Sequence, residues 1–546
     1  MKKILKTLSV ILLLCTLIST IVITTSASNA VVTVNGEEYL TFTEAWDAAL
    51  AAKEDVTMTL LSDITLATYP FSWGEGDKSL VLDLAGHTIE ATLSAPLFQS
   101  ASSKLTVKNG NINCPHTAFK MRGETAELVL ENLVVRKSGA DNNPGIHITA
   151  AKSFKATNVE LYAQRCVYIE SADNMTLSAN ALILNASAAE NVYNNALRIG
   201  PNLFSGTFNF TDCVFTSTGK GRTIESGLAV SNVAADQLGT PGVHFESTLV
   251  STDAEAGAET YKVTANKAAT FNLYNCQVIN YPDSLSCDMI IRTGVSTWNL
   301  YGGFYHAASS AKLFSNTHNY AQGYAVMNLY EYKAPNGVTY FPAFSANPTD
   351  EAQTKHLYIS NFYDVETTYT LTGGVYSAFT SKATAKAAGE ISTVQVSDTN
   401  GDYKYIVVPA GKSYTAFETP TDPKSAAARI GTVYYSTVDG ALSAAKPDDT
   451  VVLLKSATNA VPSTACKLNK NSYSFSINEN APYDFTEIGK DFISLEKNDL
   501  LTLKYWSSED ALKNSSIAGL VYTVNVKVKS SDDRDFTSGY CQADLT

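Results

Sequence analysis

The sequence is poor in the residues that metal centres and disulfide frameworks require. Only eight of its 546 residues are cysteine and only seven are histidine. Cys15 lies in the N-terminal segment, and the other cysteines are scattered without a close pair, so neither a metal cluster nor a disulfide framework is indicated. Cys213 and Cys276 hold the same place in a repeat described below, and we expect both to be small buried thiols.

A surplus of basic residues is also missing. The formal net charge is −13 and the isoelectric point is near 5.1. Without a surplus of cationic side chains to neutralise phosphates, nucleic-acid binding is not expected. After residue 30 the sequence holds no run of about 18 or more apolar residues, so we expect no membrane span in the mature chain.

The first 30 residues have the layout of a secretory signal peptide. Lys2, Lys3 and Lys6 precede an apolar run, and small residues follow it up to Ala30. A retained membrane anchor is the alternative interpretation of this segment. Cleavage after Ala27 or Ala30 would release a secreted, extracellular or cell-surface protein.

A short phrase recurs along the chain. Residues 82–89, 105–112 and 128–135 alternate apolar with other side chains and carry Gly or Asn at the fifth place. Further copies begin at Phe154, Met175, Phe208, Val243, Phe271, Trp298 and Tyr369. A fixed phrase at this period indicates a repeat architecture. Because Asn, Asp and Gly tolerate left-handed backbone, we expect a bend at each fifth place, with stacked Asn side chains satisfying buried backbone groups.

A second strand precedes several of these octets. Examples are the triplets Phe119–Met121, Ile146–Ile148, Val167–Ile169 and Leu197–Ile199. Several short strands per repeat, separated by bends, predict an all-β chain wound into a parallel β-helix, a solenoid. The period-2 alternation excludes helical repeats. A β-sandwich is the rival, but hairpin turns are scarce and the period is too long for it.

The solenoid is expected to have a distinct unit at each end. Residues 31–66 predict an N-terminal α/β cap, with Thr43 capping a helix over residues 44–52. The β-helix is expected over 67–408 and a linker over 409–427. Residues 428–546 predict a smaller α+β module that begins with a second copy of the cap, because residues 435–445 match 39–49. Residues 467–546 indicate either a small β-rich domain or the start of a second helix.

The octets, with Asn or Gly at the bend, resemble those of the pectin-lyase-like superfamily over residues 57–410. The resemblance implies a right-handed parallel β-helix. The opening unit is similar to the leader of secreted proteins from Gram-positive, clostridial-type gut bacteria. The family's catalytic motifs are not matched: Arg198 to Pro201 lacks the second arginine of pectate lyases, and the Asn-Thr-Asp and Gly-His-Gly motifs of polygalacturonases are missing.

The middle residues of the four triplets are the candidate site. If the outer residues of each triplet face the core, Lys120, His147, Tyr168 and Arg198 point outward on successive turns. Such a row could bind an acidic sugar chain. It could also abstract a proton beside a uronate carboxylate, with Tyr168 or His147 protonating the leaving oxygen. Alternatively, these are ordinary polar residues on the outer face of a sheet.

Asp141, Asn142 and Asn143 form a weaker candidate, an oxygen-rich loop for Ca²⁺. Turn formation is the favoured explanation of the same residues. No other cofactor is indicated by the sequence.

These observations favour a non-enzymatic, adhesin-like protein that presents its sheet faces to glycans or host surface proteins. A polysaccharide lyase or glycoside hydrolase acting on acidic polysaccharide is the alternative. A structural stalk without a ligand is the third interpretation, because fold alone does not define activity.

Overall fold

The structure is a computed structural model. It describes residues 30–67, 70–74, 78–170, 174–189, 192–200, 206–219, 221–226, 269–281, 296–307, 325–334, 342–346, 420–463 and 466–478. Short segments at 230–232, 261–263, 290–292, 314–315, 337, 339–340, 369–371, 374–376, 391–392, 405–407 and 486–487 are also described. The predicted signal peptide and most of the region after residue 478 lie outside the described residues.

The chain opens with a hairpin, a helix and a strand. These elements are β1 (Val32–Val34), β2 (Glu37–Tyr39), α1 (Phe42–Ala51) and β3 (Val56–Leu60). Thr41 caps α1, since its side chain accepts a hydrogen bond from the backbone N–H of Glu44. The predicted cap at Thr43 is therefore wrong by two residues. The helix starts earlier because Phe42 already belongs to its buried, core-facing side.

Short strands follow along most of the chain. In order they are β4 (Ile64–Leu66), β5 (Phe71–Trp73), β6 (Leu80–Asp83), β7 (Thr88–Ala91), β8 (Phe98–Ser100), β9 (Lys104–Cys114), β10 (Phe119–Arg122), β11 (Glu127–Lys137), β12 (Ile146–Ala150), β13 (Ser153–Ala163), β14 (Arg165–Ile169), β15 (Thr176–Ala186), β16 (Asn195–Ile199), β17 (Thr207–Thr211), β18 (Val214–Ser217), β19 (Ile224–Ser226), β20 (Val230–Asn232) and β21 (Tyr261–Val263). They continue as β22 (Ala269–Tyr274), β23 (Gln277–Asn280), β24 (Ile290–Arg292), β25 (Ser296–Tyr301), β26 (Phe304–Ala307), β27 (Phe314–Ser315), β28 (Ala325–Tyr330), β29 (Tyr332–Lys333), β30 (Thr339–Tyr340), β31 (Ala343–Ala346), β32 (Tyr369–Leu371), β33 (Gly374–Tyr376), β34 (Ile391–Ser392) and β35 (Tyr405–Val407).

Two sheets contain most of these strands. In the described part of the chain, the large sheet has 22 strands. The small sheet has nine described strands: β5, β8, β10, β12, β14, β16, β19, β24 and β27. Between β3 and β32 every described pairing within these two sheets is parallel. Some strands adjacent in sequence, such as β11 and β12, lie in different sheets, whereas others, such as β17 and β18, lie in the same one. The prediction of an all-β chain is confirmed, since the described residues are mostly strand with only two helices.

The bends fall where the octets predict them. Fifth-place residues with positive φ include Asn109, Asn132, Asn158, Asp212, Asn275 and Gly302. Their side chains form surface ladders: the amide of Asn132 donates to Asn109 (3.1 Å), and that of Asn158 to Asn132 (2.9 Å). Both donors are exposed. The expectation that such side chains satisfy buried backbone is therefore wrong for them, since they bond to one another at the surface.

The register differs from the predicted one at two copies. Leu80, not Leu82, pairs with Leu105, because the first copy has two additional residues at its bend. In the copy predicted from Met175, the bend lies at Ala181 rather than Ala179. The copy predicted at residues 243–250 lies outside the described residues.

The core consists of apolar side chains stacked from strand to strand. Phe208, Phe271 and Trp298 occupy equivalent positions, with ring centroids 4.9 Å and 4.0 Å apart. Each is fully buried, which contributes about 1.5–3 kcal/mol per side chain. At one end of this core, Phe42 and Trp46 of α1 contact other buried rings. The helix therefore packs against the buried rings of Phe71 and Phe98.

The cysteine prediction is confirmed for the described residues. Cys213 and Cys276 are fully buried, and every described cysteine is a free thiol. Burial raises the pKa of the Cys276 thiol, and its neighbour Cys213 raises it further. These side chains therefore behave as small apolar groups.

The C-terminal region repeats the connectivity of the opening unit. It contains β36 (Ala428–Ile430), β37 (Val433–Tyr435), α2 (Val438–Ala444), β38 (Thr450–Leu453), β39 (Ala457–Ala460), β40 (Lys467–Asn469), β41 (Phe475–Ile477) and β42 (Thr486–Glu487). As in the opening unit, the first strand pairs antiparallel with the second and third, and the third then starts a parallel stack. Thr437 caps α2 as Thr41 caps α1. β40 and β42 extend this parallel stack, and the two interpretations of residues 467–546 stay predictions.

This region is seated on the outer face of the large sheet. The buried guanidinium of Arg429 forms an ion pair with Glu160 of β13. Beside it, Ile183 and Val214 pack against Tyr434 in a small apolar cluster. Ile183 pairs in register with Glu160, and Val214 with Ile183, so these two apolar residues occupy outward positions that the module covers.

We expect the bend at residue 132 to depend on backbone conformation rather than on the side-chain ladder. Asn132→Val should lower the free energy of unfolding by about 1–3 kcal/mol, because a β-branched residue is strained at positive φ. Asn132→Gly should cost less, since glycine adopts this conformation readily. Chemical denaturation measures both values. Equal losses for the two variants would contradict this account.

We expect the Arg429–Glu160 pair to hold the C-terminal module in place. Glu160→Gln should destabilise the docked state by about 3–5 kcal/mol, because it leaves a buried guanidinium without a counter-charge. Limited proteolysis of residues 420–463 should become faster. The matched control is Glu127→Gln, whose partner Lys152 is 66% exposed and whose loss should cost about 0–1 kcal/mol. Unchanged proteolysis of Glu160→Gln would refute this role.

Candidate functional site

The four predicted site residues lie side by side on the small sheet. Lys120 pairs with His147, His147 with Tyr168, and Tyr168 with Arg198. The residues that flank each of them are buried, whereas the four themselves are partly exposed. The strand register therefore agrees with the predicted outward placement of the four side chains. Their function stays a prediction.

The row is longer than the sequence indicated. In register it runs through Ser72, Gln99, Lys120, His147, Tyr168, Arg198 and Glu225, and we call these seven residues the polar row. Adjacent parallel strands are about 4.8 Å apart, so its six steps span roughly 29 Å. A surface of this length fits an extended polymer better than a single small molecule.

The centre of the polar row is a continuous stack. The rings of His147 and Tyr168 are parallel, with centroids 5.5 Å apart and an interplanar angle of 8°. The guanidinium of Arg198 lies 5.1 Å from the centroid of the Tyr168 ring. Glu170 holds the imidazole in place through a 2.9 Å contact with Nε2 of His147. These contacts fix the side chains before any ligand binds, which reduces the entropy lost on binding.

One end of the polar row is organised around a buried carboxylate. The Glu225 side chain is 10% exposed and lies 3.8 Å from Nε of Arg198 and 3.6 Å from Nη1 of Arg222. Asn195 donates its amide at 3.2 Å, and the hydroxyl of Tyr193 also donates to Glu225. This carboxylate therefore orients both arginines while their guanidinium groups stay partly exposed.

Cations outnumber anions on this surface. Five cationic side chains lie on or next to the polar row, namely Lys120, Arg122, Arg165, Arg198 and Arg222. Among the described residues, the carboxylates on or beside the row are Glu170 and Glu225. The whole chain has a net charge of −13, so this local excess of positive charge contrasts with the rest of the sequence. An excess of positive charge suits an anionic ligand.

Burial is the largest influence on the pKa values of His147 and Tyr168. Burial lowers the pKa of His147, and the opposing effect of Glu170 does not offset it. Burial likewise raises the pKa of Tyr168, against the effect of Arg198. At neutral pH the imidazole is therefore uncharged and the phenol is protonated.

The calcium candidate has a structural explanation. Asp141 forms an ion pair with Lys137, whose side chain is fully buried, and Asn143 donates a hydrogen bond to the same carboxylate. Burial raises the pKa of Asp141, but these hydrogen bonds outweigh burial and lower it overall. The carbonyl of Asn142 accepts from Arg165 at 3.3 Å. The calcium role stays a prediction, with the lysine ammonium already serving as the counter-ion.

Metal ligands are not grouped elsewhere in the described part of the chain. Among those residues, no three or more His, Cys, Asp or Glu side chains are placed to share an ion. Neither of the two described helices has the length and apolar composition needed to cross a membrane.

The aromatic residues of the large sheet offer a poorer sugar platform. Trp298 and Tyr305 are fully buried. On the outer face, Tyr301 is stacked between Tyr274 and Tyr330, with centroids 4.4 Å and 4.8 Å away. Both faces of the central ring are thus covered by protein, so it presents only its edge and hydroxyl.

Some members of the site could have been found in the sequence and others could not. Ser72 is the middle residue of a triplet with apolar flanks like Phe119–Met121, so the same pattern locates it. Gln99 is flanked by Phe98 and the polar Ser100, so the pattern is weaker there. Tyr193 contacts Glu225, which lies 32 residues further along the chain. No local sequence signal indicates that contact.

Comparisons with known proteins found no match. No protein-family model fits the chain, and no curated protein or solved structure is significantly similar to it. The resemblance to the pectin-lyase-like superfamily and the bacterial origin therefore stay expectations from the sequence.

We expect His147 to make the fold less stable in acid. Its pKa is lower in the folded state than in the unfolded chain, so the unfolded chain binds more protons as the pH falls through about 6.5. Stability contributed above that pH is therefore lost as the pH decreases. The unfolding free energy of wild type should fall more steeply between neutral pH and about pH 5.5 than that of His147→Gln. Parallel pH profiles for the two proteins would contradict this expectation.

Proposed function

We propose that this chain is a secreted or cell-surface protein that binds acidic polysaccharide along the polar row, without necessarily cleaving it. The single observation that carries the proposal is the excess of cationic side chains along a row of side chains fixed in register. Uronate or sulfate groups along a glycan would be the partners of these cations. Secretion rests on the N-terminal segment of the sequence.

The finer fold belongs to the same proposal. We infer a right-handed parallel β-helix, in which the chain alternates between the large and the small sheet and each turn adds strands to both. Support comes from the parallel pairing of strands one repeat apart, such as β9 with β11 and β10 with β12. Crossovers between parallel strands of one sheet are right-handed in nearly all proteins. Such a rod exposes its small sheet as one continuous face.

Binding fits the geometry of the polar row better than a purely structural role does. A stalk needs only a soluble outer face, which isolated exposed charges provide. Here Tyr168 is stacked between an imidazole and a guanidinium, and Glu225 orients two arginines. Partly exposed guanidinium groups held in a fixed position favour bidentate recognition of carboxylate or sulfate.

A lyase activity is the second candidate, and one contact favours it. The contact between Glu170 and Nε2 of His147 orients an imidazole that is neutral at neutral pH, as a proton-abstracting base requires. The adjacent Tyr168 phenol stays protonated and could supply a proton to the leaving oxygen. Unsaturated products released from a bound uronate polymer would establish this reaction in place of binding alone.

We expect the full chain to bind polygalacturonate or a sulfated glycan and not a neutral glycan of equal length. The double variant Lys120→Gln and Arg198→Gln should bind at least about tenfold more weakly, since each charge-assisted contact contributes about 1.5–3 kcal/mol. Affinity should also fall as salt is added. Isothermal titration calorimetry in solution measures the affinity of each variant and its dependence on salt.

The matched control is Lys104→Gln combined with Lys155→Gln, which removes two exposed lysines of the large sheet. Its affinity should equal that of wild type. Equal weakening in the control would show that net charge, not the polar row, governs binding. Failure to bind any anionic glycan would refute the proposal and favour the stalk.

A further inference from the structure

The polar row leads into a pocket at its N-terminal end. The pocket has a volume of about 410 Å³, and its lining includes Ser72 and Gln99, the first two members of the row. Lys120 follows Gln99 in register. A ligand that lies along the row therefore reaches this pocket without a break.

Helix α1 closes the far side of the pocket. Leu50, near the end of the helix, is 43% exposed and lines the wall. The ammonium of Lys78 donates to the backbone carbonyl of Leu50 at 3.0 Å and lies 5.4 Å from the centroid of the Trp73 ring. The indole of Trp73 in turn donates to the carbonyl of Lys78 at 3.2 Å. These contacts fix the wall on this side of the pocket.

The charge of the pocket continues that of the row. Among the described residues that line it, Lys78 and Arg122 are cationic and none is a carboxylate. Gln99 adds an amide, and Ser72 an exposed hydroxyl, both suited to the hydroxyl groups of a sugar. Close backbone approach shapes the floor, because a Cβ at Gly74 would lie 3.1 Å from the backbone nitrogen of Ala101.

We propose that this pocket binds the terminal sugar of an acidic glycan. The anionic group of that sugar lies between Arg122 and Lys78, and the rest of the chain extends along the polar row toward Arg198. The inference rests on the proposed function and deepens it, since it makes the protein a reader of glycan ends rather than of glycan interiors.

The test uses the full chain with galacturonic acid, its trimer and longer oligogalacturonides in calorimetry. Arg122→Gln should weaken binding of the monosaccharide and the trimer at least tenfold. Arg198→Gln should leave the monosaccharide unaffected and weaken only the longer chains. Lys155→Gln, on the large sheet, should change neither. One protein should bind per glycan end, so the stoichiometry per chain should not increase with chain length.

The outcomes separate the two proposals. Length-dependent stoichiometry, with long chains unaffected by Arg122→Gln, would overturn the pocket and leave the polar row standing. Monosaccharide binding lost in Arg122→Gln, with long chains unaffected by Arg198→Gln, would support the pocket and refute the row. Absence of binding by every oligogalacturonide and by galacturonic acid would overturn both.

Discussion

The described β-structure depends on parallel strands that pair in register. Register forces equivalent positions on successive strands to carry side chains that fit on top of one another, as in the stack of Phe208, Phe271 and Trp298. It also forces each bend into left-handed backbone, which explains why Asn, Asp and Gly recur there. Ala181 is an exception, holding φ near 52° without the polar side chain that usually accompanies it. The stacking of the core and the conformation of the bends both follow from strand register.

The same register creates the surface that we propose to be functional. Lys120, His147, Tyr168 and Arg198 are separated by more than 20 residues from one to the next, yet they lie on neighbouring strands. No loop needs to close and no helix needs to be placed to bring them together. The outer face of the large sheet has another role. The C-terminal module covers part of it through Arg429 and an apolar cluster.

The sequence predicts features that repeat and fails where repetition is broken. The bends at Asn109, Asn132 and Asn158 and the outward row were predictable, because both follow from period and alternation. The bend at Ala181 was misplaced by two residues, since alanine gives no turn signal. The side chain of Asn328 on β28 donates a hydrogen bond to Asn299, and this contact was missed because aromatic residues obscure the octet there. Contacts such as Arg429–Glu160 join residues 269 positions apart and have no local signal, although the outward apolar Ile183 was a visible anomaly.

Hydrogen–deuterium exchange of the full chain, with and without an oligogalacturonide, tests the central claim most directly. That claim is that one face, defined by strand register, receives an anionic glycan. The account predicts slower exchange in β8, β10, β12, β14 and β16, and in the segment of α1 beside Leu50, with the large sheet unchanged. Protection on the large sheet, or none on these strands while the glycan is bound, would contradict it.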